Sequence, residues 1–210
     1  FDAFGTAPPT PRDDFQALDQ ELILTDLVSV EKRLERLKLD QRRGKQIDPE
    51  ELALLSRCQT ELENERPLRR ITELATAPKL RGFAFLSAKP QLVLFNNGDE
   101  DARLPNQASD LPETTALVIR GKLEQELAGM RPDETAEFLS EFGLEASAAD
   151  RIIQKSYELL GLISFFTVGE DEVRAWTITR GTTAVDAAEV IHSDIKKGFI
   201  RAEVLTYRDL

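Results

Sequence analysis

Cysteine and histidine are almost missing from this sequence: Cys58 and His192 each stand alone among 210 residues. One cysteine excludes an internal disulfide and a cysteine-built zinc site, which makes a reducing cytoplasm the expected location. One histidine with no serine or cysteine nucleophile beside it makes no catalytic triad. In the run Ile191-His-Ser-Asp194 a hydrogen bond at a helix end is its expected work. No stretch of 18 apolar residues occurs, so no membrane-spanning helix is expected. A signal peptide is not expected either, because no basic segment followed by an apolar one opens the chain. The G-x-x-x-x-G-K-[ST] pattern is also missing, and with it the usual cradle for phosphates and Mg²⁺. The formal net charge of −11 argues against polyanion binding by bulk charge, and nothing marks out a DNA-specific surface. The first residue is Phe1 rather than Met, which leads to the expectation of a processed chain or part of a longer one.

What is present is a 41% apolar composition, enough for a core, and sharp changes of pattern along the chain. Residues 1–14 hold Pro8, Pro9 and Pro11 and read as a loop. Asp13 and Asp14 then suit a helix N-terminus. Ile23, Leu27, Val30, Leu34 and Leu37 follow at spacings of four and three, one apolar seam on a helix of about 28 residues and about 40 Å. Gly44 is a natural stop. Asp48-Pro49-Glu50-Glu51 supplies an N-cap, a proline at N1 and a capping-box glutamate for a second helix. Its seam is Leu52, Leu55 and Leu62, with Cys58 or Gln59 between; Cys58 there is expected as a small buried hydrophobe. Together these predict an antiparallel αα-hairpin arm. Between Lys32 and Lys45 lie Lys32, Arg33, Arg36, Lys38, Arg42, Arg43 and Lys45 against only Glu35 and Asp40, one basic stretch on an acidic background.

After Pro78 short apolar runs appear: Phe83–Leu86, Gln91–Phe95 and Thr115–Ile119. Continuous apolar runs fit strands of a parallel α/β sheet covered on both faces. Helices are expected near Asp133–Phe142 and Ala146–Leu160. From Ile163 the order is strand (Ser164–Val168), strand (Glu172–Thr179), helix (Ala184–Ser193) and strand (Phe199–Tyr207), which is a β-grasp order. Trp176 is expected in its core. The adjacent Phe165 and Phe166 must face opposite sides, one inward and one exposed.

The runs Tyr157–Gly169, Glu172–Ile178, Ala188–Asp194 and Gly198–Val204 resemble the C-terminal region of the Obg-like ATPase (YchF) family. The resemblance extends back through Arg151–Gly161, Lys89-Pro90, Leu80–Phe83, Glu31–Leu34 and Glu21–Leu27, covering the chain from about Gln20 onward. It implies an α/β fold: the remainder of a P-loop NTPase-type parallel sheet, an inserted αα-hairpin arm and a partial C-terminal β-grasp (TGS-like) module that the family continues beyond Leu210. The implied segments are a linker at 1–20, the arm at 21–78, the end of the nucleotide-binding domain at 79–160 and the TGS-like module at 161–210.

The same resemblance implies an N-x-x-E motif, associated with adenine, in place of the N-K-x-D of GTPases. Asn97-Gly98-Asp99-Glu100 fits it, so Asn97 and Glu100 are candidate base contacts, with Asn96 as the other candidate asparagine. The family's Ser-Ala-Lys at the next loop stands here as Arg120-Gly121-Lys122; Gly121 still allows close backbone approach, whereas Arg120 is a departure. ATP and Mg²⁺ are expected cofactors of the full-length protein, bound through a P-loop upstream; these 210 residues alone are not expected to bind either tightly or to hydrolyse ATP. A ribosome or other RNA partner is expected to meet Arg36, Arg42, Arg43 and Lys45 on the arm. Lys196, Lys197 and Arg201 on the TGS-like module are further RNA candidates, although that module carries six basic and eight acidic residues. The alternative is a non-enzymatic RNA- or protein-binding adaptor that has lost the P-loop half, the reading that Arg120 favours.

Overall fold

The computed structural model describes residues 9–106, 114–169 and 171–206. These fall into two compact units divided after Ala148. The first opens with α1 (Pro11–Arg42) and α2 (Pro49–Glu63), followed by a 3₁₀ turn at Leu68–Arg70, the single-turn α3 (Thr72–Ala75) and a 3₁₀ segment at Pro78–Phe83. Strands β1 (Gln91–Asn96) and β2 (Thr114–Ile119) come next, then α4 (Gly121–Ala128) and α5 (Pro132–Glu141).

Helix α1 begins at Pro11 with Asp13 and Asp14 in its first turn and runs 32 residues, about 48 Å at 1.5 Å per residue. It stops where Gly44 takes a positive φ of 76°, a conformation that suits glycine. The Asp48 carboxylate accepts from the backbone N–H groups of Glu50 and Glu51 and starts α2. Glu51 does not close the expected capping box. Its carboxylate takes both donors of Arg33 across the hairpin at 2.7 and 2.9 Å, because a bidentate charged pair outcompetes a single bond to a backbone N–H.

The seam of α1 packs as predicted: Ile23, Val30, Leu34 and Leu37 meet Leu55, Cys58 and Leu62 of α2, and the same core continues through Leu68, Leu74, Leu80 and Phe85. Cys58 is fully enclosed, and burial pushes its thiol up to about 11. A neutral, covered thiol is a poor nucleophile. Iodoacetamide at pH 8 is therefore expected to label Cys58 at least tenfold more slowly than in urea-unfolded protein; equal rates would mean that the hairpin opens readily.

One expected strand is not formed. Phe83–Leu86 ends the 3₁₀ segment, and Ala84 takes a left-handed φ of 51°. The backbone N–H groups of Leu86 and Ser87 are held instead by the Asp26 carboxylate of α1, at 2.9 and 2.7 Å. Asp26 is a buried carboxylate inside an apolar seam, and it takes the donors that a strand would offer to a neighbour. Ser87 extends the link: its Oγ accepts from Leu68 N–H and its carbonyl from Arg69 N–H.

Strands β1 and β2 are parallel, in register from Gln91↔Thr114 to Asn96↔Ile119. Val93 and Phe95 pack with Ala116, Val118 and Phe15 of α1 on one face. The other face carries Leu92, Leu94 and Asn96 and is more open, with Leu94 and Asn96 exposed. The apolar runs thus form the parallel pair they predict, but among the described residues only the Phe95 face is well covered.

In the second unit α6 (Ala148–Leu159) leads into β3 (Leu162–Val168) and β4 (Val173–Thr179), an antiparallel hairpin, followed by α7 (Ala184–Ile191) and α8 (Ser193–Lys197). Phe165 is half-buried opposite Trp176, and Phe166 lies exposed on the other face, as alternation requires. Trp176 is half-buried rather than enclosed; its Nε1 donates to Thr167 Oγ1 and the Arg174 guanidinium lies 4.4 Å from its ring centroid. The expected helix 184–193 divides at His192, which is extended and whose Nδ1 accepts from Asp194 N–H to cap α8. The expected third strand, 199–207, is irregular through Thr206, and Tyr207 lies outside the described residues. Ile200 and Val204 there are almost fully exposed. Alternating apolar residues favour a strand only where another strand accepts the ladder, and none does so among the described residues.

Candidate functional site

Parallel pairing places the C-terminal ends of β1 and β2 side by side, so the segments leaving them meet. In open α/β sheets this is the edge at which ligands bind. The meeting is direct: Asn96, the last residue of β1, accepts from Gly121 N–H through its Oδ1 at 2.9 Å. A Cβ at position 121 would stand 3.0 Å from that oxygen, so any side chain there would require Asn96 to shift by a few tenths of an ångström. The Asn96 side-chain NH₂ makes no hydrogen bond among the described residues.

Asn97 is placed differently. Its N–H donates to the Ile119 carbonyl, and its side-chain NH₂ donates to the carbonyls of Asp101 and Arg103 at 3.1 and 2.9 Å. Both amide hydrogens are spent on folding its own loop, which leaves only an acceptor. Asp101 supports the turn by accepting from Arg103 N–H, and the backbone and side chain of Arg103 hold its carboxyl below the usual range. Glu100 is exposed and forms no ion pair among the described residues.

Arg120 is buried. Its guanidinium donates to the carbonyl of Asp99 at 3.2 Å and to that of Phe142, at the end of α5, at 2.8 Å. Lys122 Nζ lies 3.5 Å from the Asp99 carboxylate. Three consecutive residues, 120–122, therefore grip Asn96 and Asp99. Sequence reasoning noted Arg120 as a departure and left Asp99 without a role; the overlap of two N-x-x-acid registers, 96–99 and 97–100, was the available signal.

On the arm, Lys32, Arg36, Lys38, Arg42 and Arg43 are exposed and form no ion pair among the described residues, whereas Arg33 is committed to Glu51 and Lys45 to Asp40. The Asp40 carboxyl is held low first by the Lys45 hydrogen bond, with Arg36 and Arg43 adding to the field. In the second unit every candidate cation has an acid: Lys196 pairs with Asp186 and Glu189, Lys197 with Asp194 and Arg201 with Glu203. Among the described residues no group of three or more histidines, cysteines or carboxylates is placed to hold a metal ion.

A family model described as "YchF-GTPase_C: Protein of unknown function (DUF933)" matches residues 162–210. The ribosome-binding ATPase YchF of Bacillus subtilis is 36% identical over 213 residues, and that of Escherichia coli O157:H7 35% over 207; each match covers 95% of this chain and 57% of the relative. A solved structure of the Schizosaccharomyces pombe YchF GTPase superposes with a TM-score of 0.76 at 28% identity, again over 95% of this chain and 57% of that one. The chain thus spans a little over half the length of the proteins it matches, and their names divide between ATPase and GTPase.

Proposed function

The chain belongs to the YchF family, and on that footing we propose that it is the base-reading and partner-binding portion of a ribosome-associated protein that hydrolyses a purine nucleotide. The observation that carries this reading is the joining of Asn96 to Gly121 at the C-terminal ends of two parallel strands, where amide and carboxylate groups converge. Asn96 and Gly121 form the floor of the base site, Asn97 shapes its loop and Glu100 stands at its outer edge. No residue of this chain is assigned to the phosphates or Mg²⁺; in this proposal other parts of a longer protein hold them, and the relatives' greater length leaves room for such parts. The segments proposed are those read from the sequence: 1–20, 21–78, 79–160 and 161–210.

Arg120, the residue that favours an adaptor without nucleotide, has a structural task between two carbonyls. Its presence is therefore compatible with a working base site. The ribosomal or other RNA partner, met in the cytoplasm, is assigned to the arm, because Arg36, Arg42 and Arg43 there form no ion pair among the described residues, whereas Lys45 is held by Asp40 and the candidate cations of the TGS-like unit are paired with acids. The Arg42→Glu/Arg43→Glu variant tests this. In ribosome co-sedimentation it should lose most binding at low salt and reduce the slope of log affinity against log salt by about 2. Unchanged binding and slope, with circular dichroism intact, would remove the arm from the interface.

A further inference from the structure

We propose that the outer face of α1 binds a second copy of this chain, the two helices running antiparallel. Thr25, Val28, Lys32, Glu35, Leu39 and Arg42 stand on that face at alternating spacings of three and four, and all six are exposed. They lie opposite the seam of Ile23, Val30, Leu34 and Leu37 that packs on α2. A solvated helix face is ordinarily polar, yet Val28 and Leu39 are 47% and 48% exposed and Leu24 beside them 54%. The charges of this face are also unspent. Glu31, Lys32, Glu35 and Lys38 form no ion pair among the described residues, whereas Arg33 and Lys45 of the same hairpin do. Glu31 and Glu35 are like charges one turn apart, as are Lys32 and Arg36, an arrangement that works against the isolated helix.

The order of these residues is self-complementary. A two-fold axis midway between Arg33 and Leu34 sets residues equally far from it against each other. Val28 then meets Leu39 of the second copy, and Lys32 meets its Glu35; the symmetry repeats both contacts in reverse. On one flank Glu31 approaches Lys38 of the second copy, offset by two residues or about 3 Å along the helix. Parallel pairing would instead set Lys32 on Lys32 and Glu35 on Glu35, and like charges brought together repel. The ends also fit. Helix α1 extends further from that axis toward Phe15, which packs on the sheet, than toward Arg42, so the tip of one hairpin stops short of the sheet of the other. With only Leu24, Val28 and Leu39 as apolar contacts the interface is small, and the association is weak and salt-sensitive. Arg36 and Arg42 lie within the paired length, so self-association covers two of the cations assigned above to RNA; the pairing itself does not rest on that assignment.

Sedimentation velocity of the 210-residue chain over a concentration series tests this. At low salt the chain is expected to dimerise with a Kd below about 1 mM, and added salt should weaken the dimer. Lys32→Glu sets acid against acid across the axis and Glu35→Lys sets base against base, so each variant alone should associate about tenfold or more weakly than the wild type. An equimolar mixture of the two variants should regain the wild-type affinity, because position 32 of each then faces the opposite charge at position 35 of the other. Both positions are exposed, so neither reversal removes a contact of the fold. Loss in each variant with recovery in the mixture requires that position 32 faces position 35 of a second copy. A wild-type chain that stays monomeric at about 1 mM and low salt overturns the proposal. So do reversals that leave the association unchanged, or a mixture that does not recover it.

Discussion

Replacing Asp26 with alanine is expected to cost the first unit about 2–6 kcal/mol, because two backbone donors, those of Leu86 and Ser87, lose their only acceptor, at about 1–3 kcal/mol each. Ser87 is fully buried and Asp26 nearly so, so water replaces the missing oxygens poorly. The damage should also spread. Ser87 binds Leu68 and Arg69 through its hydroxyl and carbonyl, so a loosened Leu86–Ser87 segment releases the turn that follows α2. Asp26→Asn keeps one acceptor and should cost roughly half as much. Urea unfolding gives the magnitude, and hydrogen exchange at Leu86 and Ser87 gives the location. A loss below about 1 kcal/mol, or exchange that stays slow at those two amides, would show that the carboxylate is not what holds them.

The second large effect is expected at Arg69. Its guanidinium meets the Asp19 carboxylate with two bonds of 2.7 Å, and the side chains are only 4% and 13% exposed. A screened surface pair would contribute little, but this one is desolvated, so removing one partner strands the other charge. Arg69→Met should cost about 3–5 kcal/mol, whereas Asp19→Leu with Arg69→Met should recover most of that loss. The pair ties the early part of α1 to the turn after α2, a separation of 50 residues. If the double variant proves as unstable as Arg69→Met alone, stranded charge is not the cause, and the loss of the Arg69 guanidinium from its place 6.0 Å from the Phe15 ring centroid would be.

Both effects lie where the sequence was hardest to read. The seam from Ile23 to Leu37 was legible because burial repeats with the helical period, and Asp48-Pro49 because caps act within three residues. Asp26 stands inside that seam and broke no periodicity, so its role needed the knowledge that residue 86 returns to it. Phe83–Leu86 shows the same limit from the other side. Its composition favours a strand, but a carboxylate 60 residues away claims its donors. The strand expected at 199–207 followed from the β-grasp order, and what it lacks among the described residues is a neighbouring strand to pair with.

The candidate site divides in the same way. An asparagine-rich turn after an apolar strand, followed by a glycine after the next strand, was visible in the chain itself. Which asparagine faces outward was not, because Asn96 and Asn97 are adjacent and chemically identical until the Ile119 carbonyl and Gly121 N–H claim different atoms of each. Arg120 read as an intrusion. Its guanidinium proved to be absorbed by two carbonyls that the chain brings together from residues 99 and 142.

By itself the sequence determined the hairpin arm, the parallel pair, the basic stretch and the family resemblance, since each rests on periods, caps and runs that act over a few residues or on residues matched one by one. Tertiary structure alone decided which side chains are spent and which stay available. A hydrogen-bond donor has one place to go at a time, and only the folded chain shows which acceptor reached Asn97, Arg120, Lys196 or Leu86 first.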